Sequence, residues 1–161
     1  MGYGSYRSKR SLITYKVETV AECIEEIKPL NLQHWEEVAT NKEVRPLEPD
    51  YDKYYTLEEL GMLRILTARD GDVLVGYFIT MLCQHMHYKS CTTAMNDILY
   101  IHPDYRKSTI GFRLFKVAIA DLKDNTDATL IIVHMKITHP FRKLLKHFDF
   151  KLAEENWELQ L

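Results

Sequence analysis

Apolar and polar positions follow two different periods along this chain, and the changeover between them sets its organisation. Residues 13–20 alternate as a half-buried strand does. The run 21–28 then takes a helical spacing that Thr19 is placed to cap and Pro29 to stop. Residues 32–40 form a second helical stretch with Trp35 as the expected core anchor. Residues 41–52, with Pro46, Pro49 and several charges, read as a loop before a short helix over 54–60. From residue 63 the period becomes two. Residues 63–68 and 73–82 are β-rich runs around Arg69-Asp70-Gly71-Asp72, and the Asp-Gly pair marks a hairpin. A third run, 93–101, follows a short polar segment at Lys89-Ser90. Helical spacing returns over 109–122 through Ile110, Leu114, Val117, Ala118, Ile119 and Leu122. Residues 130–135 are continuously apolar, the pattern of a strand buried on both faces. A helix over 139–148 and a closing strand over 150–159 complete the expectation.

The chain has 161 residues, enough for one domain with a single core, expected over 13–161 behind a loose basic tail at 1–12. No apolar run approaches the roughly 20 residues of a membrane span. The first residues lack the apolar segment of a signal peptide, and Tyr6 breaks the myristoylation pattern after Gly2. Three cysteines form no regular framework and point to a reducing interior, so a cytoplasmic protein is expected. A net charge of −2 argues against nucleic acid as a partner. Its distribution is uneven: residues 104–123 hold 5 basic and 2 acidic side chains, and residues 136–151 hold 5 basic and 1 acidic.

Residues 99–114 carry the most specific signal. An apolar run ends at Pro103, and Arg106, Lys107, Ser108, Thr109 and Gly111 follow before an amphipathic helix. A strand, a tight turn and a helix start of this kind present unpaired N–H groups to an anion such as a phosphate. Cys83, His85, His87 and Cys91 are the other cluster. On paper they are zinc ligands, but they lie mainly along one strand, whereas metal sites draw ligands from several elements, so no metal is expected. A histidine pair lining a pocket, or two structural histidines, are the other readings of His85 and His87.

The 99–114 segment resembles the acyl-CoA-binding signature of the GNAT superfamily of N-acetyltransferases: Arg106, Ile110 and Gly111 fill the matching places, and Thr109 stands where the first glycine is usual. The order of elements resembles that superfamily over nearly the whole chain. The resemblance implies an α/β fold, a mixed central sheet of six to seven strands flanked by helices. It implies acetyl-CoA or CoA as co-substrate, with Leu99, Tyr100 and Ile101 as backbone contacts to the pantetheine and thioester. Arg106, Lys107, Ser108, Thr109, Ile110, Gly111 and Phe112 would hold the pyrophosphate, and Thr138, Phe141 and Arg142 are further implied cofactor contacts. Asp97 is the implied general base; alternation puts it on one strand face with Leu99, beside Asn96, and a tight hairpin brings His85, with His87, opposite it. The implied acceptor is an amine of a protein, at a lysine or the N-terminus, or of a small molecule, and a homodimer is compatible with this reading. The chain departs from the family where a tyrosine acid is usual (Leu145), where a glycine follows (Asp149) and where an asparagine holds the cofactor (Thr138). Water, Tyr100 or His139 would then reprotonate the thiolate. His85 to Tyr88, Asn96, Asp97, Lys136 and His139 to Phe141 resemble a phage- or prophage-type branch. The runner-up is a catalytically weak module of the same fold that binds a protein partner, which a phage origin would make a host protein.

Overall fold

In the computed structural model, which describes residues 12–159, five strands run β1 (Ile13–Glu18), β2 (Leu63–Asp70), β3 (Val73–Gln84), β4 (Thr92–Ile101) and β5 (Ala128–Ile132). They lie in the sheet in that same order, antiparallel from β1 to β4, with β5 parallel to β4. A parallel neighbour needs a crossover, and α3 (Ile110–Asn125) supplies it. The remaining helices are α1 (Val20–Val38), α2 (Tyr51–Glu59) and α4 (Arg142–His147), with a 3-10 turn at Pro103–Tyr105. The expected basic tail at 1–12 falls, except for Leu12, outside the described residues. No described helix is long and apolar enough to cross a membrane.

Period-two patterning sends alternate residues to two cores, one on each face of the sheet. Leu63, Ile65, Tyr77 and Ile79 meet Val20, Cys23, Ile24 and Ile27 of α1, with Tyr51, Tyr54 and Leu57 of α2 against them. Leu66, Ala68 and Phe78 face the other way, onto Leu114, Phe115, Ala118 and Leu122 of α3 and Leu145 of α4. Thr19 caps α1 as the sequence predicts, in a reciprocal box with Glu22. Gly71 takes a φ of 61° in the β2–β3 turn, which is why the Asp-Gly signal works there.

Four expectations fail, each for a reason outside the local sequence. Pro29 does not stop the first helix; α1 runs through it to Val38. The apolar stripe of Val20, Cys23, Ile24 and Ile27 continues past the proline to buried Asn31, and packing along that face outweighs the roughly 3 kcal/mol an interior proline costs. Trp35 is half-buried under Lys42, 5.0 Å from its ring centre, and belongs to neither core. β5 is not buried on both faces, because it is the edge of the sheet: Thr129 and Leu130 are exposed. Among the described residues the sheet has five strands rather than six to seven, and 150–159 forms none.

Candidate active site

β4 carries a bulge. Ile98 faces Ile79 on β3, but the next partner of Thr80 is Asn96, so Asp97 is left without a cross-strand neighbour. One inserted residue exchanges the two faces of everything beyond it. Ala94, before the bulge, packs on the α3 side. After the bulge it is Leu99 and Ile101 that pack there, while Ile98 and Tyr100 join the α1 side. Asp97 and Leu99 therefore do not share a face, as unbroken alternation predicts. Asp97 turns towards α2, where the Tyr54 hydroxyl donates to its Oδ2 at 3.1 Å. Asp97 keeps an exposed surface, yet the protein crowds its carboxyl: burial raises its pKa above the usual value, and the bond from Tyr54 pulls the other way. Burial and the charge of Asp97 together push the Tyr54 hydroxyl up.

Beside the bulge the sheet opens. β5 accompanies β4 only as far as the pair Met95–Ile132. There the Asn96 side chain bridges the diverging chains: its Nδ2 donates to the His134 carbonyl at 3.1 Å, and the His134 N–H donates to its Oδ1 at 2.5 Å. Asn96, the neighbour of the implied base, is a buried strut between the two strands. Beyond it, residues 97–101 have no strand on their β5 side among the described residues, which leaves a backbone edge open between Asp97 and the start of α3.

At that start the Ile110 N–H donates to Ser108 Oγ at 3.2 Å, and Ser108 in turn donates to the Tyr105 carbonyl at 2.5 Å. Thr109 precedes the helix without a capping bond. The N–H groups of Gly111 and Phe112 meet no acceptor among the described residues. They point out of a helix N-terminus, where the dipole favours an anion. Gly111 sits directly on β4: a Cβ there would stand 3.3 Å from Ile101 Cγ1. Lys107, Ser108 and Thr109 are exposed around this edge. The Arg106 guanidinium is otherwise engaged. It donates to both Glu37 carboxylate oxygens at 2.6 and 2.7 Å and to the Ile101 carbonyl at 2.8 Å, and lies over the Tyr100 ring. Arg106 ties α1 to the end of β4 and is not free to meet a ligand at the helix start. The Phe112 ring stacks on Phe148, the residue that follows α4, at 5.1 Å, so only its backbone is available.

The histidines stand elsewhere. His85 pairs with Cys91 by its backbone and its ring meets Tyr88 at a tilt in the β3–β4 hairpin, and the His87 N–H donates to His85 Nδ1. The residue opposite Asn96 is Thr80, five residues before His85, so neither His85 nor His87 reaches Asp97. Among the described residues no group of three or more His, Cys, Asp or Glu could hold a metal. Thr138 and His139 are exposed and bonded to each other at 3.0 Å; Phe141 packs against the α3 core, and Arg142 opens α4 on the surface. The Tyr100 hydroxyl is buried and donates to Gln33 at 2.9 Å. Leu145 is buried in the α3 core, and Asp149 holds a φ of 59°, which explains why glycine suits this position. A recess of about 600 Å³ at the opposite end of the sheet, lined by Glu18, Glu22, Glu58 and Arg64 among others, is remote from all of this. Tyr54 and Glu37 escape sequence reasoning: they lie 43 and 69 positions from Asp97 and Arg106, and no local pattern marks the pairs.

The fold that carries this site is found in known proteins. The sequence profile of the Acetyltransferase (GNAT) family matches residues 27–150. No curated protein matches the chain. Among solved structures, a ribosomal-protein-alanine N-acetyltransferase from Brucella melitensis biovar Abortus 2308 is similar at 16% identity and a TM-score of 0.68, over 93% of this chain and 100% of that one. A predicted acetyltransferase with acetyl-CoA from Clostridium acetobutylicum gives 12% and 0.69, over 92% and 96%. A transcriptional regulator from Bacillus halodurans C-125 gives 18% and 0.71, over 93% and 100%. Likeness at these identities is a likeness of fold, and the family profile spans both the opened β4 edge and the helix start beside it: the chain belongs to the acetyltransferase (GNAT) family.

Proposed function

We propose that this protein is an N-acyltransferase that moves an acetyl group from acetyl-CoA to an amine of a protein or small molecule, by direct attack in a ternary complex. One juxtaposition carries the reading: an open backbone edge at 97–101 lies between a bulged carboxylate and a helix start with unpaired N–H groups. The N–H groups of Gly111 and Phe112 suit the pyrophosphate, with the exposed Lys107, Ser108 and Thr109 around it. The backbone of Leu99 to Ile101 suits the pantetheine and the thioester carbonyl, where a fixed N–H donor is a large catalytic contribution. When bound, acetyl-CoA supplies the activated acyl group.

Asp97 takes the proton of the incoming ammonium. A carboxyl raised by crowding is a better base than a fully hydrated one. Tyr54 fixes its orientation from α2. Arg106 serves by positioning, holding α1 and the end of β4 together through Glu37. The test is calorimetric titration with acetyl-CoA, followed by thiol release against a panel of amines and lysine peptides. Absence of CoA binding refutes the reading.

A second reading, a weakly catalytic module that binds a protein partner, is favoured by Leu145. Where the family often has a tyrosine acid, this chain has an apolar side chain packed in its core. CoA binding without thiol release from any amine would select it.

A further inference from the structure

The split between β4 and β5 opens at a side chain. The last ladder pair is Met95–Ile132, and the same register carried two residues further would set His134 opposite Asp97. In a continued parallel ladder the N–H and C=O of His134 would both go to the β4 backbone. The Asn96 amide takes them instead: its Nδ2 donates to the His134 carbonyl at 3.1 Å, and its Oδ1 accepts from the His134 N–H at 2.5 Å. A side-chain amide offers the donor and acceptor of a peptide group. The ladder therefore ends on a peptide mimic that reaches out from β4 and holds the other chain off by the length of a side chain. Asn96 is 7% exposed and both its partners are backbone groups, so the bridge is fixed.

That bridge closes one end of the open edge at 97–101. The other end is the start of α3, where Gly111 sits on Ile101. With the pyrophosphate of CoA at Gly111 and Phe112, the pantetheine runs from Ile101 back towards Asp97, and the acyl group points at Asn96. A longer acyl chain has no cheap way round. On the α2 side stands the Asp97 carboxylate with the Tyr54 hydroxyl on its Oδ2, and methylenes laid over that pair strip water from a charge. The α3 side is closed by core, into which Leu99 and Val133 both pack. Straight ahead, the chain must break both bonds of the bridge. We propose that Asn96 is a specificity-determining residue that ends the acyl slot, so that the protein takes an acetyl group and rejects longer acyl groups. The inference rests on the CoA reading above and adds to it the residue that sets acyl length. Behind the amide the ladder closes again at Met95 and Ile132, so its removal frees room for about two methylenes and no more.

Calorimetric titration of the full chain with free CoA and with acetyl-, butyryl- and hexanoyl-CoA tests this without an acceptor. The parent is expected to bind butyryl-CoA at least about tenfold more weakly than acetyl-CoA, because opening the bridge forfeits both hydrogen bonds of Asn96. Asn96→Ala should bring these two affinities within about threefold of each other and still exclude hexanoyl-CoA. Asn96→Ser, which keeps a hydroxyl for His134, takes its place if the alanine variant does not fold. A role in folding alone would weaken every ligand together and leave the ratios as they are in the parent. A parent that binds butyryl-CoA as tightly as acetyl-CoA, or a shortened variant that keeps the parent's ratio, overturns the assignment of Asn96 and leaves CoA binding standing. A parent that binds neither CoA nor any acyl-CoA refutes the proposed function, and this inference falls with it.

Discussion

Tyr54 on α2 donates to Oδ2 of Asp97 at 3.1 Å, and so fixes a carboxylate that the pairing of β3 and β4 leaves unmatched. If Asp97 is the base, Asp97→Asn lowers turnover about 10²–10⁴-fold while CoA affinity by calorimetry stays within a few-fold. The deficit narrows as pH rises, because the acceptor amine then loses its proton unaided. An equal loss of CoA binding would make Asp97 structural.

Tyr54→Phe tests the other half of the pair. Burial raises the Asp97 carboxyl and the Tyr54 bond opposes it, so removing the hydroxyl lets burial act alone. Asp97 then stays protonated to a higher pH, and the acidic limb of the kcat/KM profile moves up. Superimposable profiles would remove Tyr54 from the mechanism.

Gly111 is expected to tolerate only the smallest addition. A Cβ at 3.3 Å from Ile101 Cγ1 asks a small shift of one flexible side chain, and alanine's helix propensity offsets it, so Gly111→Ala should change stability by less than about 1 kcal/mol. Gly111→Leu forces Ile101 aside at about 1–3 kcal/mol and moves the helix start. The thermal shift induced by CoA should disappear in the leucine variant and persist in the alanine variant. Adding Ile101→Ala should restore part of the lost stability.

Acid should loosen the β1–β2–α1 corner. Glu18 and Arg69 are both buried, and the guanidinium donates to Glu18 at 2.9 Å, to Glu26 at 2.7 Å and to the Asp72 carbonyl at 2.7 Å. Burial opposes the charge on Glu18, but its bonds to Arg69, Thr67 and Lys16 outweigh that and hold its pKa below the ordinary 4.5. A depressed carboxyl contributes stability above its unfolded pKa and loses it as pH falls through the folded one. The urea midpoint of the parent should therefore fall below about pH 4.5, and Glu18→Gln should blunt that fall. Arg69→Met strands the buried carboxylate and should cost about 3–5 kcal/mol at neutral pH.

Asp149 ends α4 in the left-handed region, where its N–H bonds to Lys146 and that of Phe150 to Leu145. An L-residue other than glycine is strained there, so Asp149→Gly should stabilise the chain by about 0.5–1 kcal/mol in urea unfolding. A loss of stability would show that the carboxylate itself holds the turn.

Much of this molecule is legible in its sequence. The α3 stripe, the Asp-Gly turn, the Thr19 cap and the strand–turn–helix at 99–114 are signals between residues within about a turn or two of each other, and local sterics and periodicity decide them. The helix start with its unpaired N–H groups follows from the same local rules.

Long-range pairing decided the rest. Whether Asp97 faces Leu99's side or Tyr54's depends on a single inserted residue, and that insertion is fixed by how β4 seats on Ile79 and Thr80 of β3. Pro29 stays inside α1 because a sheet face beneath it rewards the unbroken helix. Arg106, the signature's basic residue, turned to Glu37 because α1 ends beside it. Leu130 and Trp157 look like core residues to any local rule. They are exposed because β5 is an edge and the last nine described residues found no strand to join, and burial is a property of neighbours that a linear pattern does not specify.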